Sequence, residues 1–212
     1  MRFKQPLLRG KLIKRYKRFL ADVLLDSGET VTAACPNTGS MLGLTEAGNQ
    51  VWLSRSESPT RKYPHTWELV EIAGQGLVGI NTGQPNHIVS EAVSQRKIEA
   101  LNGYATLRTE VKYGRNSRID ILLEDPGRPP CYVEIKNVHF FRKPGLAEFP
   151  DCVTERGAKH LVEMSSMVAQ GARAVMVYLI QCQAPQRFAL ADDKDGNYFA
   201  EFRKAKAAGV EA

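Results

Sequence analysis

The chain has 212 residues, of which 43% are hydrophobic and 25% charged, with a formal net charge of +6. That length and composition suit a globular protein with one large domain or two smaller ones, and the excess of cations makes an anionic partner plausible. No run of about 18 apolar residues occurs and the opening residues lack the apolar core of a secretion signal, so neither a membrane-spanning helix nor a membrane partner is expected.

Short strand-like runs come first in chain order: Phe19 to Leu25, Thr30 to Cys35, Val51 to Arg55, Trp67 to Ala73 and Leu77 to Asn81. Turn residues separate them (Asp26-Ser-Gly, Pro36-Asn-Thr-Gly-Ser, Gly74-Gln-Gly), and this spacing predicts a small β-barrel or sandwich. The segment around Leu12 fits a strand but also a helical stripe of Leu12, Ile13, Tyr16, Phe19, Leu20, Val23 and Leu24. Beyond Asn81 the pattern changes. A helix is predicted over Asn86 to Leu101, strands over Ala105 to Tyr113, Arg118 to Leu123 and Tyr132 to Phe140, and a second helix over Thr154 to Gln170. The second helix is opened by Thr154 or Asp151 and stopped by Gly171. An apolar strand, Arg173 to Cys182, and an amphipathic helix, Asn197 to Ala208, complete an α/β layer pattern. The change of pattern sets the expected domain boundary between residues 81 and 82. The four cysteines (Cys35, Cys131, Cys152, Cys182) have no C-x-x-C spacing and suit a reduced, cytoplasmic setting.

Two predicted strands carry the candidate chemistry. Asp120 lies between Ile119 and Ile121, and Glu134 and Lys136 form a Glu-x-Lys triplet among aliphatic residues. Alternation along a strand points Glu134 and Lys136 to one side. The Pro/Gly-rich stretch after Glu124 reads as a hairpin loop that brings Asp120 beside Glu134. Two carboxylates at such range repel unless a cation lies between them, and Mg2+ or Mn2+ suits a hard oxygen site. Lys136 would then steady an attacking water or the charge on phosphorus. The same residues also make an ordinary cross-strand ion pair on an exposed face.

Cations cluster in two places. The first block includes Lys14, Arg15, Lys17 and Arg18, with the aromatic residues Tyr16 and Phe19 among them and no acid before Asp22. Cations beside rings on a β-scaffold are what backbone and single-strand binding uses, and a solvated face with its rings in the core has the same composition. The second group, Arg156, Lys159 and His160, shares one face of the second predicted helix and could hold a phosphate near the carboxylates. His65, His87 and His139 show no spacing that suggests a metal.

Several ordered segments together resemble the sugar fermentation stimulation protein family of bacteria and archaea. They are Gly10-Lys-Leu-Ile-Lys-Arg-Tyr-Lys-Arg-Phe-Leu-Ala-Asp-Val, Pro36-Asn-Thr-Gly-Ser-Met, Pro85-Asn with Glu91-Ala, Glu110-Val-Lys-Tyr-Gly, Ser117-Arg-Ile-Asp, Tyr132-Val-Glu-Ile-Lys-Asn-Val and Phe149-Pro-Asp-Cys-Val-Thr-Glu-Arg-Gly-Ala-Lys-His-Leu. The resemblance implies an N-terminal OB-like barrel followed by a restriction-endonuclease-like α/β domain of the PD-(D/E)XK class, and so strands in the ambiguous first segment. It implies DNA binding with little sequence preference and a link to the regulation of sugar (maltose) metabolism; the alternative is an active Mg2+-dependent deoxyribonuclease. It also implies a third metal acid on the first helix of the second domain, Glu91, with Glu99 as the fallback two turns along. Family members continue past Gly209-Val-Glu into another strand, so the sheet edge is expected to be unfinished here. Oligomeric state is not legible.

Overall fold

The computed structural model describes residues 2–114 and 117–212 and divides into two compact units. The first runs to Gly83 and also takes Val138–Asp151 and Ile180–Ala189 from later in the chain.

Six strands lead this unit: β1 (Leu8–Tyr16), β2 (Leu20–Leu25), β3 (Thr30–Ala34), β4 (Gln50–Arg55), β5 (His65–Ile72) and β6 (Gly76–Gly79). β1 pairs antiparallel with both β2 and β4, β2 with β3, and β4 with β5; a short parallel pairing of β3 with β5 closes five strands into a barrel. β6 adds to β5 as a hairpin. Closure removes the free edges that an open sheet would expose. Leu12, Val23, Val31, Val51, Leu53, Trp67 and Val70 fill the interior. The first segment is therefore a strand and not the helical stripe, since Leu12 is 2% exposed while its neighbour Ile13 is 43% exposed. Gly10 is needed where β1 crosses its neighbours: a Cβ there would lie 2.6 Å from the Leu24 carbonyl oxygen.

Three further strands belong with this unit: β10 (Phe140–Lys143), β11 (Leu146–Phe149) and β13 (Arg187–Leu190), in the order β10-β11-β13. Sequence periodicity merges the first of them into the strand before it and misses the others. Pro144-Gly145 between two short apolar runs is the signal that marks the β10–β11 turn.

The second unit holds α1 (Pro85–Ser94), a 3-10 turn (Glu99–Leu101), β7 (Thr106–Tyr113), β8 (Ser117–Asp125), β9 (Arg128–Val138), α2 (Glu155–Ala169), β12 (Arg173–Ile180) and α3 (Gly196–Ala207). Its sheet has the order β12-β9-β8-β7, with β7–β8 and β8–β9 antiparallel. Val89 and Val93 of α1 pack with Ile121, Leu123, Cys131 and Val133. Leu122, between two of those, packs with Tyr132 and with Met167 of α2. Alternate residues of β8 thus face different helices, giving the expected α/β layers.

The helix ends follow local chemistry. α1 is shorter than its apolar periodicity predicts because Arg96 takes a left-handed φ of 57°. Lys97 N then bonds Ala92 O and Arg96 N bonds Val93 O, a Schellman ending with arginine where glycine is usual. Glu99 consequently lies beyond the helix, in the 3-10 turn, and not two turns along it. Thr154, not Asp151, caps α2: its Oγ1 accepts from Gly157 N at 3.1 Å. The buried Asp195 ties two helix starts together, its Oδ1 accepting from Tyr198 N at 2.9 Å and its Oδ2 from Thr154 N at 2.7 Å. The last residues lie along β12 through the Val175↔Glu211 bridge, and Arg173 grips the Glu211 carboxylate at 2.5 and 2.6 Å.

Candidate functional site

The β8–β9 ladder pairs Ile121 with Val133, and Asp120 sits one residue beyond that pair. Its Oδ2 accepts from the Ile135 backbone N–H at 2.6 Å. Its Oδ1 accepts at 2.9 Å from the amide of Asn86, in the first turn of α1, which also donates to Glu110 Oε1 at 3.0 Å. Glu134 lies on β9 and is 3% exposed. Its Oε1 accepts from Lys136 Nζ at 2.7 Å and is hydrogen-bonded to Nδ1 of His160, from α2. Arg156 Nε donates to His160 Nε2 at 3.4 Å, which leaves Nδ1 as the nitrogen that carries the proton toward Glu134. α1 therefore orients one carboxylate and α2 the other.

The two acids respond oppositely. Burial raises the Asp120 carboxyl above its ordinary value, the Glu134 charge adds to this, and the Ile135 N–H, Asn86 and Lys136 only partly offset it. Burial also pushes Glu134 upward, but its bond to His160 and the Lys136 charge outweigh that and hold it below the usual range. Glu134 Oε2 is buried and has no hydrogen-bond partner among the described residues. Two adjoining carboxylates, one strained by its charge and one with an unmatched buried oxygen, form a hard-oxygen donor set that favours a cation.

The expected residues separate into groups. Asp120, Glu134 and Lys136 come together, with Asn86 and Glu110 added and His160 in a different role. His160 is 3% exposed and bonded to Glu134, so it orients a carboxylate and does not present itself to a polymer. Arg156 and Lys159 are exposed on the same helix. Glu91 is half-buried on α1 and takes a hydrogen bond from Gln95 at 3.2 Å; the α1 side chain that reaches Asp120 is Asn86. Among the described residues no three His, Cys, Asp or Glu side chains group closely enough to hold a metal ion. Glu110 has a left-handed φ of 54° inside β7, a conformation no sequence pattern announces for a glutamate. Asn86 was legible only as a helix start.

In the barrel unit, Lys14 is exposed, standing over the Tyr16 ring at 5.4 Å and 3.7 Å from Asp22. Tyr16 is half-buried and donates to Asp22 Oδ1 at 3.0 Å. Arg15 is committed to the fold: one of its terminal nitrogens reaches the carbonyls of Arg18, Asn37 and Gly39 at 2.8, 2.9 and 2.9 Å. Lys17 and Arg18 occupy the β1–β2 turn with left-handed φ values of 50° and 65°, and Phe19 beside them is 49% exposed. Arg18 Nε donates to Thr38 O at 2.8 Å.

The fold and the site define a class: a closed five-stranded barrel followed by an α/β unit with an Asp, Glu-x-Lys set at the end of its sheet. Residues 13–80 match the model described as the SfsA N-terminal OB domain, and residues 83–212 the model described as the sugar fermentation stimulation protein RE domain. The chain belongs to the sugar fermentation stimulation protein (SfsA) family. Homologs from Brucella ovis and Brucella melitensis, each called sugar fermentation stimulation protein homolog, are 58% identical over 100% of this chain and 89% of theirs. The solved structure of Pyrococcus furiosus SfsA in complex with Ca2+ shares the fold with a TM-score of 0.88 at 23% identity, over 100% of this chain and 88% of that one. No helix among the described residues is long and apolar enough to cross a membrane.

Proposed function

We propose that this protein binds DNA with little sequence preference through the cations and rings of its barrel, and carries a Mg2+ or Mn2+ site on Asp120 and Glu134 of a nuclease-like α/β domain. The observation that carries the metal reading is the buried Glu134 oxygen without a partner beside an Asp120 carboxyl raised by burial and by Glu134 itself. The Ca2+ complex of the Pyrococcus furiosus protein agrees with a divalent cation. Glu91 is the further acid the family resemblance brings to the set. The family name supports a regulatory role in sugar metabolism.

The donors fit a hard divalent ion: both acids supply oxygens, and such an ion keeps several waters. Bound there, it would polarise a phosphoryl oxygen and lower the pKa of a water. The protein's own part is positional. His160 and Lys136 fix Glu134 from two directions, and the Ile135 N–H and Asn86 fix Asp120. Lys136, 13% exposed, places an ammonium beside the carboxylates to hold an attacking water or meet charge developing on phosphorus. Arg156 and Lys159 offer charge to a backbone phosphate. Lys14, Lys17 and Arg18, with Phe19, give the barrel its phosphate and base contacts; Arg15 holds their loop.

Cleavage is the second reading, favoured by Lys136 standing where a phosphodiesterase needs a cation. One experiment addresses both. DNA is incubated with the protein and Mn2+ beside an Asp120→Asn control, while binding is followed against salt. Binding weakens steeply with salt, and Lys17→Ala lowers the salt slope by about 1 for all sequences alike. Mn2+-dependent products from the native protein alone establish cleavage; equal products from both proteins remove it. Affinity unchanged by Lys17→Ala and by salt removes the barrel as the binding surface.

A further inference from the structure

The β7–β8 ladder matches charge at one end and sets like charges together at the other. Arg108 on β7 donates its Nε to Glu124 of β8 at 2.9 Å. Toward the other end, Lys112 lies directly opposite Arg118. Both are exposed, and among the described residues neither side chain makes an ion pair or a hydrogen bond. The one acid of β7, Glu110, is engaged by Asn86 at 3.0 Å. Directly opposed residues of an antiparallel pair bring their side chains close on one side, and like charges there are destabilising.

The pair stands beside the candidate site. Glu110 falls between the Thr109↔Ile121 and Val111↔Ile119 pairs, across from Asp120, and its left-handed φ of 54° interrupts the alternation of β7 there. Beyond that point Val111, Tyr113 and Ile119 share a cluster with Met167 of α2. Lys112 and Arg118 alternate with them and so point to the other side, the one on which Val89 and Val93 of α1 pack. Arg118 is two residues from Asp120 along β8, a rise of about 7 Å. Asn86, in the first turn of α1, reaches both Glu110 and Asp120. Two exposed cations therefore lie on the α1 side of Asp120, while Arg156 and Lys159 are exposed on α2, whose His160 holds Glu134.

We propose that Lys112 and Arg118 together hold one backbone phosphate of DNA on the α1 side of Asp120. This rests on the DNA-binding reading above and extends it along the α/β unit. A phosphate between the two cations replaces their mutual repulsion with charge-assisted hydrogen bonds, the guanidinium offering paired donors and the ammonium a point charge. Arg108, on the same strand, is already neutralised by Glu124. With Arg156 and Lys159 offering charge on the α2 side, a strand crosses Asp120 and Glu134 with phosphates held on both sides of them. The ligand class is the interior of a polynucleotide, a phosphodiester whose backbone runs on in both directions, and not a strand end or a mononucleotide.

Fluorescence anisotropy of a labelled mixed-sequence DNA duplex, titrated with the purified full chain over a salt series, tests this. Lys112→Ala combined with Arg118→Ala should lower the salt slope by about 1 and weaken binding about tenfold at low salt, for all sequences alike. Closed circular duplex, which has no ends, should show the same loss when used as competitor. Arg108→Ala should leave the slope unchanged. Lys112→Glu puts an acid opposite Arg118, so it should resist urea at least as well as the native chain while binding DNA several-fold more weakly; a merely structural role for Lys112 would not separate those two readouts. Circular dichroism checks that each variant folds; if the double variant does not, Lys112→Glu carries the test. Slope and affinity unchanged in the double variant, or lowered as much by Arg108→Ala, overturn the inference and leave the DNA-binding reading standing, as does a loss confined to linear DNA. No binding by the native protein, or binding that salt does not weaken, overturns both.

Discussion

Among the described residues each unit buries two glutamates, and the two units treat them differently. In the barrel unit, Glu68 accepts from Ser54 Oγ at 2.6 Å on one oxygen and from Asn81 Nδ2 at 2.7 Å on the other. Glu148 is gripped at both oxygens by Arg142, at 2.8 and 2.6 Å. In the α/β unit, Glu134 has one oxygen hydrogen-bonded and Glu163 neither among the described residues, its one ion pair being with Lys159 Nζ at 3.8 Å. All four are at most 9% exposed, so burial alone does not distinguish them. A buried acid whose oxygens are all matched has its desolvation offset within the fold; one left unmatched carries that cost without repayment from its neighbours.

The largest test of this contrast breaks a matched acid. Arg142→Ala leaves Glu148 buried without its guanidinium, and the cost should be about 3 kcal/mol in urea unfolding. A loss below about 0.5 kcal/mol would place Glu148 with the unmatched acids. Neither outcome should change the Mn2+ uptake proposed for Asp120 and Glu134.

A smaller effect, with a sign that matters more than its size, comes from the site. Asp120 is raised above its ordinary value, so its charge works against the fold at neutral pH. Asp120→Asn should stabilise the metal-free protein by about 1 kcal/mol. Glu134 is held below the usual range, so its charge favours the fold; Glu134→Gln should destabilise by a similar amount. Unfolding in chelator checks both. Changes of the same sign in the two variants would mean that the acids do not play the separate parts assigned to them.

The sequence made the acids and Lys136 legible because strand alternation and a hairpin loop are local signals. It made the barrel legible for the same reason, aided by resemblance. The partners were not legible. His160 groups with Arg156 and Lys159 in the sequence because that spacing says only that they share a helix neighbourhood; that His160 turns inward is decided by Leu161 and Met164 packing in the core. Glu163, three residues past His160, carries no local signal that its side chain is buried. Asn86 meets Asp120 across 34 residues of sequence, a contact set by how α1 lies on the sheet. The return of Val138–Asp151 and Ile180–Ala189 to the first unit is likewise a long-range fact.

The smallest effect asks whether the contrast belongs to units or to individual sites. The α/β unit also has a fully matched acid, Glu211, whose two oxygens take Arg173. That hydrogen bond, more than the opposing effect of burial, holds its carboxyl below the ordinary value. A depressed folded-state value means the contribution is present above the unfolded carboxylate value and lost as pH falls through the folded one. Because the Glu211 side chain is 44% exposed, solvent screens the pair and the contribution should be about 0.5 kcal/mol or less. Arg173→Ala should therefore be slightly less stable than native at neutral pH, and the gap should close as pH falls below the ordinary carboxylate range. A gap that persists in acid would show that Arg173 acts through packing of its stem on β12 and not through the carboxylate. A gap that closes makes matching a property of each site, so that within one unit Glu211 serves the fold through its ion pair while, among the described residues, one oxygen of Glu134 and both of Glu163 stay without a hydrogen bond.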